Sequence, residues 1–230
     1  EVRKNGMGEI EIHVSCDIAY GVWQYYCASG DIDFMEKYGC EIIILTAAFW
    51  ASRVVYRNER YEILNVIGPD EYKDGVDNNA YTNYMAYFNM RLALRAAKIM
   101  SAETYRRMDK MYGFDKLCKR IEAILPEMYL PKADSDGIIP QFDGVRDLAD
   151  IDTTIYKNRE KVGTIFEDYG FADIEKMQVF KQADTVMLLY TLENCFSESE
   201  IRKNYEYYEK RTLHDSSLSM CAHALVASRI

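Results

Sequence analysis

The chain has 230 residues, 49% of them apolar, which is enough to bury a sizeable core and argues against disorder. Its 28 basic and 37 acidic residues leave a net charge of -9, and no local Lys/Arg cluster offsets it, which argues against a nucleic-acid partner. No apolar run approaches the roughly eighteen residues of a membrane span, and the polar start Glu1-Val2-Arg3-Lys4-Asn5-Gly6 is no signal peptide.

In chain order, apolar residues recur at helical spacing from Ser15 to Ser29, with Gly30 as the stop, and again from Asp33 to Tyr56. In the second segment Phe34, Tyr38, Ile42, Leu45 and Phe49 share one face. Periodicity fails between Arg57 and Asp77 and resumes from Asn79 to Met100 with Tyr81, Tyr84, Met85, Phe88 and Leu92. Ser101 with Thr104 restarts it, and Phe114 to Leu125 reads as a short amphipathic helix. From Pro126 to Ile155 the chain is irregular, with three of the four prolines and many aspartates, too long for an idle connector. Helices are expected again over Asp173 to Leu192, Ser199 to Lys210 and Leu218 to Ser228, with Ser197-Glu198-Ser199-Glu200 opening the middle one. The fold class is all-α, an array of helical hairpins with loops at one end. The abrupt start and the end at Ile230 suit a piece of something larger.

Cys16, Cys27, Cys40, Cys118, Cys195 and Cys221 form no C-x-x-C pair and read as reduced core residues, which favours a cytoplasmic protein. With three histidines and no H-E-x-x-H grouping, no metal site is expected.

Chemistry concentrates where the periodicity fails. In Gly68-Pro69-Asp70-Glu71-Tyr72, Pro69 fixes its own φ and Gly68 permits a close backbone approach, so Glu71 is presented by a stiff turn. Asp77-Asn78-Asn79-Ala80-Tyr81-Thr82-Asn83 follows with neutral donors and acceptors that suit sugar hydroxyls, although the same residues also form ordinary turns and helix starts. Near the end, Thr212-Leu213-His214-Asp215-Ser216-Ser217 precedes a helix, and the N-H groups and hydroxyls at such a start bind anions. The plainer reading is that one serine simply caps the helix. Lys181-Gln182-Ala183-Asp184 interrupts an otherwise apolar helical run and reads either as a site or as a helix face turned to solvent.

Together these strings resemble the inverting α-glucoside phosphorylases of glycoside hydrolase family 65, which include kojibiose, trehalose, nigerose and maltose phosphorylases. The runs that carry the likeness are HVSCDIAY (13–20), AFWASR (48–53), VIGPDEYKDGVDNNAYTNYMA (66–86), KQADTVMLLY (181–190) and LHDSSLSMCAHALVA (213–227). The resemblance implies that residues 1–230 are part of an α/α six-hairpin toroid of the glucoamylase type. The preceding β-sandwich, the first part of the toroid and a tryptophan-bearing segment that helps hold glucose would then be missing, and the isolated fragment would be inactive. It further implies Glu71 as general acid, Lys181 and Gln182 as the sugar-binding pair, and His214, Ser216 and Ser217 as a phosphate cradle. Inorganic phosphate is then the co-substrate, no cofactor is needed, and a full-length dimer is expected. Leu45 and Ala48 stand where many relatives have glutamate and arginine, and Lys73 where many have histidine. Glu71 must be protonated to act, which partial burial or a nearby phosphate would favour. Two rivals remain: a hydrolase of the same fold with a base among the aspartates between Asp134 and Asp152, and a non-enzymatic sugar-binding or inactive fragment.

Overall fold

A computed structural model describes residues 7–157 and 161–230; the polar start at 1–6 lies outside them. The chain divides into two compact units, one of residues His13–Leu64 and Thr82–Tyr129, the other of Asn65–Tyr81 and Leu130–Ile230 together with the residues up to Ile12.

The first unit holds α1 (Val14–Ser29) and α2 (Cys40–Arg53), packed against each other, and a hairpin of β1 (Val55–Arg57) and β2 (Arg60–Glu62). Most of α3 (Ala80–Ile99) follows, then α4 (Ala102–Tyr112) and α5 (Phe114–Ile124). Gly30 ends α1 in the left-handed region, and the Ser101 hydroxyl caps α4 by accepting from Thr104 N, both as expected. Met35, Ile43, Ile44, Trp50, Met85 and Phe114 are fully buried.

Two expectations fail in this unit. The face of α2 read as one stripe is largely the exposed one: Tyr38, Leu45 and Phe49 lie outward, while Ile43, Ile44, Ala47 and Trp50 are buried. A π turn at Met35–Gly39 precedes α2, whose faces are both apolar, so spacing alone does not say which of them is buried. The stretch after Arg57 also contains strand structure. Asn58 and Glu59 both adopt positive φ (52° and 59°), which suits a tight two-residue hairpin turn, but the strands are too short to alternate visibly and the turn lacks glycine.

The second unit contains α6 (Thr185–Thr191), α7 (Glu198–Arg211) and α8 (Ser217–Ala227), which pack on one another. Phe180, Val186, Tyr208, Ala222 and Val226 form the centre of its core. Ser197 and Glu200 make the reciprocal capping box that opens α7. The helix expected over Asp173 to Leu192 is instead a turn at Phe171–Ile174, an irregular stretch, and α6. Backbone bonds explain the break: Phe180 pairs with Thr212 in a bridge, and Lys181 N and O bond Asp70 and Asp215 rather than a helical turn.

Cysteine burial also departs from expectation. Cys16 and Cys40 are buried, Cys118 is half-buried, and Cys27, Cys195 and Cys221 are exposed, although all six are free thiols. Among the described residues no helix is long and apolar enough to cross a membrane.

Candidate active site

The glutamate turn sits in a loop closed by two bonds between Val66 and Val76, each 2.9 Å. Within it Asp70 is the organising group. Its fully buried carboxylate accepts from Lys181 N (2.7 Å), Gln141 Nε2 (3.1 Å) and Tyr72 N (3.3 Å). Burial pushes its carboxyl above the usual carboxylate range, against the pull of Lys73 and these donors. Gly68 lies so close to its neighbours that a Cβ there would collide with Asn79 Nδ2 and Asp184 Oδ2. That side-chain pair is itself bonded, Asn79 Nδ2 donating to Asp184 at 3.0 Å, and Asp184 accepts from Asp70 N at 3.3 Å. The turn is therefore fixed by buried partners, while Glu71 stays partly open, with 29% of its side chain exposed.

Lys181 meets that group: its Nζ is 3.0 Å from Glu71 Oε2. Gln182 is buried, donates through Nε2 to Pro69 O, and keeps Oε1 without a partner among the described residues. Neither residue lies in a helix, so the solvent-facing helix alternative for 181–184 does not hold. The bond from Lys181 N to Asp70 instead sets this segment directly beside the turn.

The third string joins the same framework. Leu213 N donates to Phe180 O and Asp215 N to Lys181 O, both 2.9 Å. Asp215 accepts the Tyr72 hydroxyl at 2.7 Å and Gly163 N at 2.8 Å. Burial and the Asp215 carboxylate push the Tyr72 hydroxyl well above the usual tyrosine range, so it stays a donor. Ser216 caps α8 by accepting from Leu218 N, and Ser217 is exposed at the first helical position. His214, in the left-handed region at φ 58°, holds Ser219 Oγ at 2.8 Å through Nδ1 and approaches Glu209 Oε1 at 3.4 Å through Nε2. The plain capping role thus falls to Ser216, leaving the Ser217 hydroxyl directed to the surface.

All six expected residues are thus knitted into one unit. Asp70, Asp215, Gln141 and Glu209, which hold them, were missed as a group, because carboxylates and amides with no shared spacing give no motif. The amides and hydroxyls after the turn, expected to face sugar, are internal: Asn78, Asn79, Thr82 and Asn83 are all buried. Asn78 donates to Asp143 at 2.7 Å and Asn83 to Tyr129 O at 3.0 Å.

Lys73 is also internal. Its Nζ donates to Ile174 O and Met177 O at 2.7 and 2.6 Å, anchoring the turn to the 171–177 segment. Burial pushes its ammonium down to about 8, opposed by Asp70 and Glu175. Because the folded value lies below the unfolded one, the unfolded chain binds more protons in this window, and stability must rise with pH from about 8 to about 10.5. Relative to Lys73→Met, the wild type should gain about 2 kcal/mol between about pH 7.5 and 9.5 in urea unfolding. A flat difference would show that Lys73 keeps an ordinary affinity for its proton.

The irregular 126–155 stretch is tethered by its own aspartates. Arg146 binds Asp134 (3.1 Å) and Asp136 (2.7 Å), Asp143 accepts from Asn78, and Arg211 binds Asp150. The one grouping among the described residues with metal-ligand chemistry is Glu209, His214 and His223, whose candidate atoms lie within 4.8 Å of one another. These atoms already bond each other, and Lys157 Nζ stands 3.3 Å from Glu209 Oε1, a cation where a metal ion would need the same lone pairs.

Residues 2–230 match the model of the glycosyl hydrolase family 65 central catalytic domain. The chain is 44% identical to kojibiose phosphorylase of Halothermothrix orenii over 97% of its own length and 29% of that protein. It is 36% identical to alpha,alpha-trehalose phosphorylase of Thermoanaerobacter brockii, over 97% of this chain and 30% of the relative. A solved structure described as a candidate kojibiose phosphorylase from the human microbiome superimposes with a TM-score of 0.84 at 30% identity, covering 94% of this chain and 30% of the other. The chain thus spans under a third of the length of these relatives. The likeness to a solved structure and the helical content agree with the expected all-α class, and the family match over nearly every residue makes the conclusion plain: this chain belongs to glycoside hydrolase family 65.

Proposed function

We propose that the protein carrying this segment is an inverting disaccharide phosphorylase, transferring glucose from an α-linked disaccharide to inorganic phosphate. The observation that carries this reading is the 2.7 Å bond from Tyr72 to Asp215, which ties the residue after Glu71 to the one before Ser216. A partly open acid and an anion-competent helix start are thereby held on one framework.

In this reading Glu71 donates its proton to the glycosidic oxygen as the bond to the anomeric carbon breaks. A phosphate oxygen attacks the same carbon from the opposite face, giving β-glucose 1-phosphate and a free acceptor sugar. Phosphate is already anionic, so no second carboxylate is required as base; its remaining proton restores Glu71 by way of solvent. The Ser217 hydroxyl and the N-H groups of His214, Ser216 and Ser217 hold the phosphate, with the His214 ring held by Ser219 and Glu209, while Lys181 and the buried Gln182 oxygen hold sugar hydroxyls. Lys181 pairs with Glu71 in the ligand-free arrangement and would turn to sugar and phosphate on binding, freeing Glu71 to carry its proton.

Kojibiose is the first disaccharide to try, because a 44% identical relative bears that name, with trehalose and nigerose next. The isolated segment would be inactive, since relatives of this kind are more than three times longer. Exposed Val14, Ile18, Leu45 and Phe49 on α1 and α2 fit a helical layer contributed by the rest of a toroid. Six free thiols fit a cytoplasmic protein, and a homodimer is the expected assembly of the full-length form. Asp134 and Asp136 are held by Arg146, Asp143 by Asn78 and Asp150 by Arg211, so hydrolysis with one of them as base is not favoured. The test is sugar release by a protein of the relatives' full length, with and without phosphate. Cleavage that needs phosphate supports the reading, and equal cleavage without it sinks it.

A further inference from the structure

Glu209, in the last turn of α7, sits between two imidazoles. Its Oε1 meets His214 Nε2 at 3.4 Å and its Oε2 meets His223 Nδ1. The two rings stand edge to face with centroids 4.6 Å apart. On its far side the His214 ring holds Ser219 Oγ at 2.8 Å, and that fully buried hydroxyl already accepts from Ala183 N at 3.1 Å.

Counting protons fixes this network. An ionised carboxylate can only accept, so His214 Nε2 and His223 Nδ1 must both carry hydrogen. A neutral His214 with its hydrogen on Nε2 offers only a lone pair at Nδ1, so the Ser219 hydroxyl donates to it while accepting from Ala183 N. The neutral His214 is then the Nε2-H tautomer and the neutral His223 the Nδ1-H tautomer, whose Nε2 is buried with no partner among the described residues. The His214 and His223 bonds and Lys157 hold the Glu209 carboxyl well below the usual range against the opposing effect of burial.

We propose that Glu209 is the positioning residue of the phosphate cradle: by accepting from both imidazoles it sets their tautomers and locks His214 in its left-handed backbone conformation, one residue before Asp215 and two before the α8 cap. A left-handed non-glycine residue costs on the order of 1–3 kcal/mol and persists only where its surroundings over-determine it. The clamp on both ring nitrogens supplies that, and it keeps the N-H groups from His214 to Ser217 in a preformed arrangement. Gln in place of Glu keeps the shape but turns one acceptor into a donor, so one of the two imidazole contacts becomes donor against donor.

The role in phosphate binding rests on the phosphorylase reading; the tautomers do not, and the two are measured separately. With three histidines in the chain, long-range proton–nitrogen NMR of histidine-labelled protein resolves each ring. The expected result is Nε2-H for His214 and Nδ1-H for His223 in the wild type, and a changed tautomer of at least one ring in Glu209→Gln. In a full-length enzyme, Glu209→Gln should raise the KM for inorganic phosphate about tenfold with the disaccharide KM unchanged. His223 in the Nε2-H form in the wild type overturns the proposal even if the variant fails to fold. Stoichiometric binding of added Zn2+ to both rings also overturns it, in favour of a metal centre. An unchanged phosphate KM beside changed tautomers overturns the positioning role but leaves the phosphorylase reading intact, whereas a wild type that needs no phosphate defeats that reading alone.

Discussion

Replacing Glu71 by Gln in a full-length enzyme should lower turnover of the disaccharide by about a thousandfold or more, within the range expected for removal of a well-placed general acid. The fold should be unaffected. Glu71 stays partly open on the turn, and its ion pair with Lys181 joins two partly exposed side chains, a kind of contact that contributes little to stability. The sharper measurement compares leaving groups: α-glucosyl fluoride, whose fluoride departs without needing full protonation, should lose far less rate than a disaccharide. Equal losses on both substrates would mean that Glu71 acts in binding and not as the acid. Retention of more than a few per cent of disaccharide activity would remove it from catalysis altogether.

Gly68→Ala should be among the most damaging single changes to the second unit, costing about 2–4 kcal/mol, because a new methyl group there is forced into the Asn79–Asp184 pair. That pair cannot yield cheaply. Both side chains are buried, and moving Asp184 strips an acceptor from Asp70 N and from Asn79. Gly21→Ala is the matched control, since it lies in the middle of α1 with nothing within 4 Å of where a Cβ would stand, and it should stabilise by about 0.5–1 kcal/mol. Thermal melts of both variants check the contrast. If Gly68→Ala melts with the wild type, the close approach is not a constraint on the turn.

Much of the helical plan was legible from local signals. The ends of α1, the Ser101 cap and the capping box of α7 are short-range chemistry, and each of these starts and stops lies where its residue types put it. One failed expectation involves partners distant in sequence. The run through Lys181 to Asp184 has helical spacing, yet its backbone bonds lie with Asp70 and Asp215, more than a hundred and more than thirty residues away in numbering. The exposed stripe of α2 failed for a different reason: both faces of the helix are apolar, and spacing alone does not say which one the fold covers.

The same division runs through the site. Glu71 on a proline-stiffened turn and serines before a helix follow from residue types alone, because a backbone turn and a helix start are made by neighbours in sequence. That Asp70 grips Lys181, that Tyr72 reaches Asp215 and that Glu209 sits between two histidines was decided only by the tertiary structure. Hydrogen bonds between side chains separated by long stretches of chain depend on where the fold returns, and no local pattern encodes that return. By itself the sequence determined which chemical groups are available and on which local elements; packing determined which of them meet.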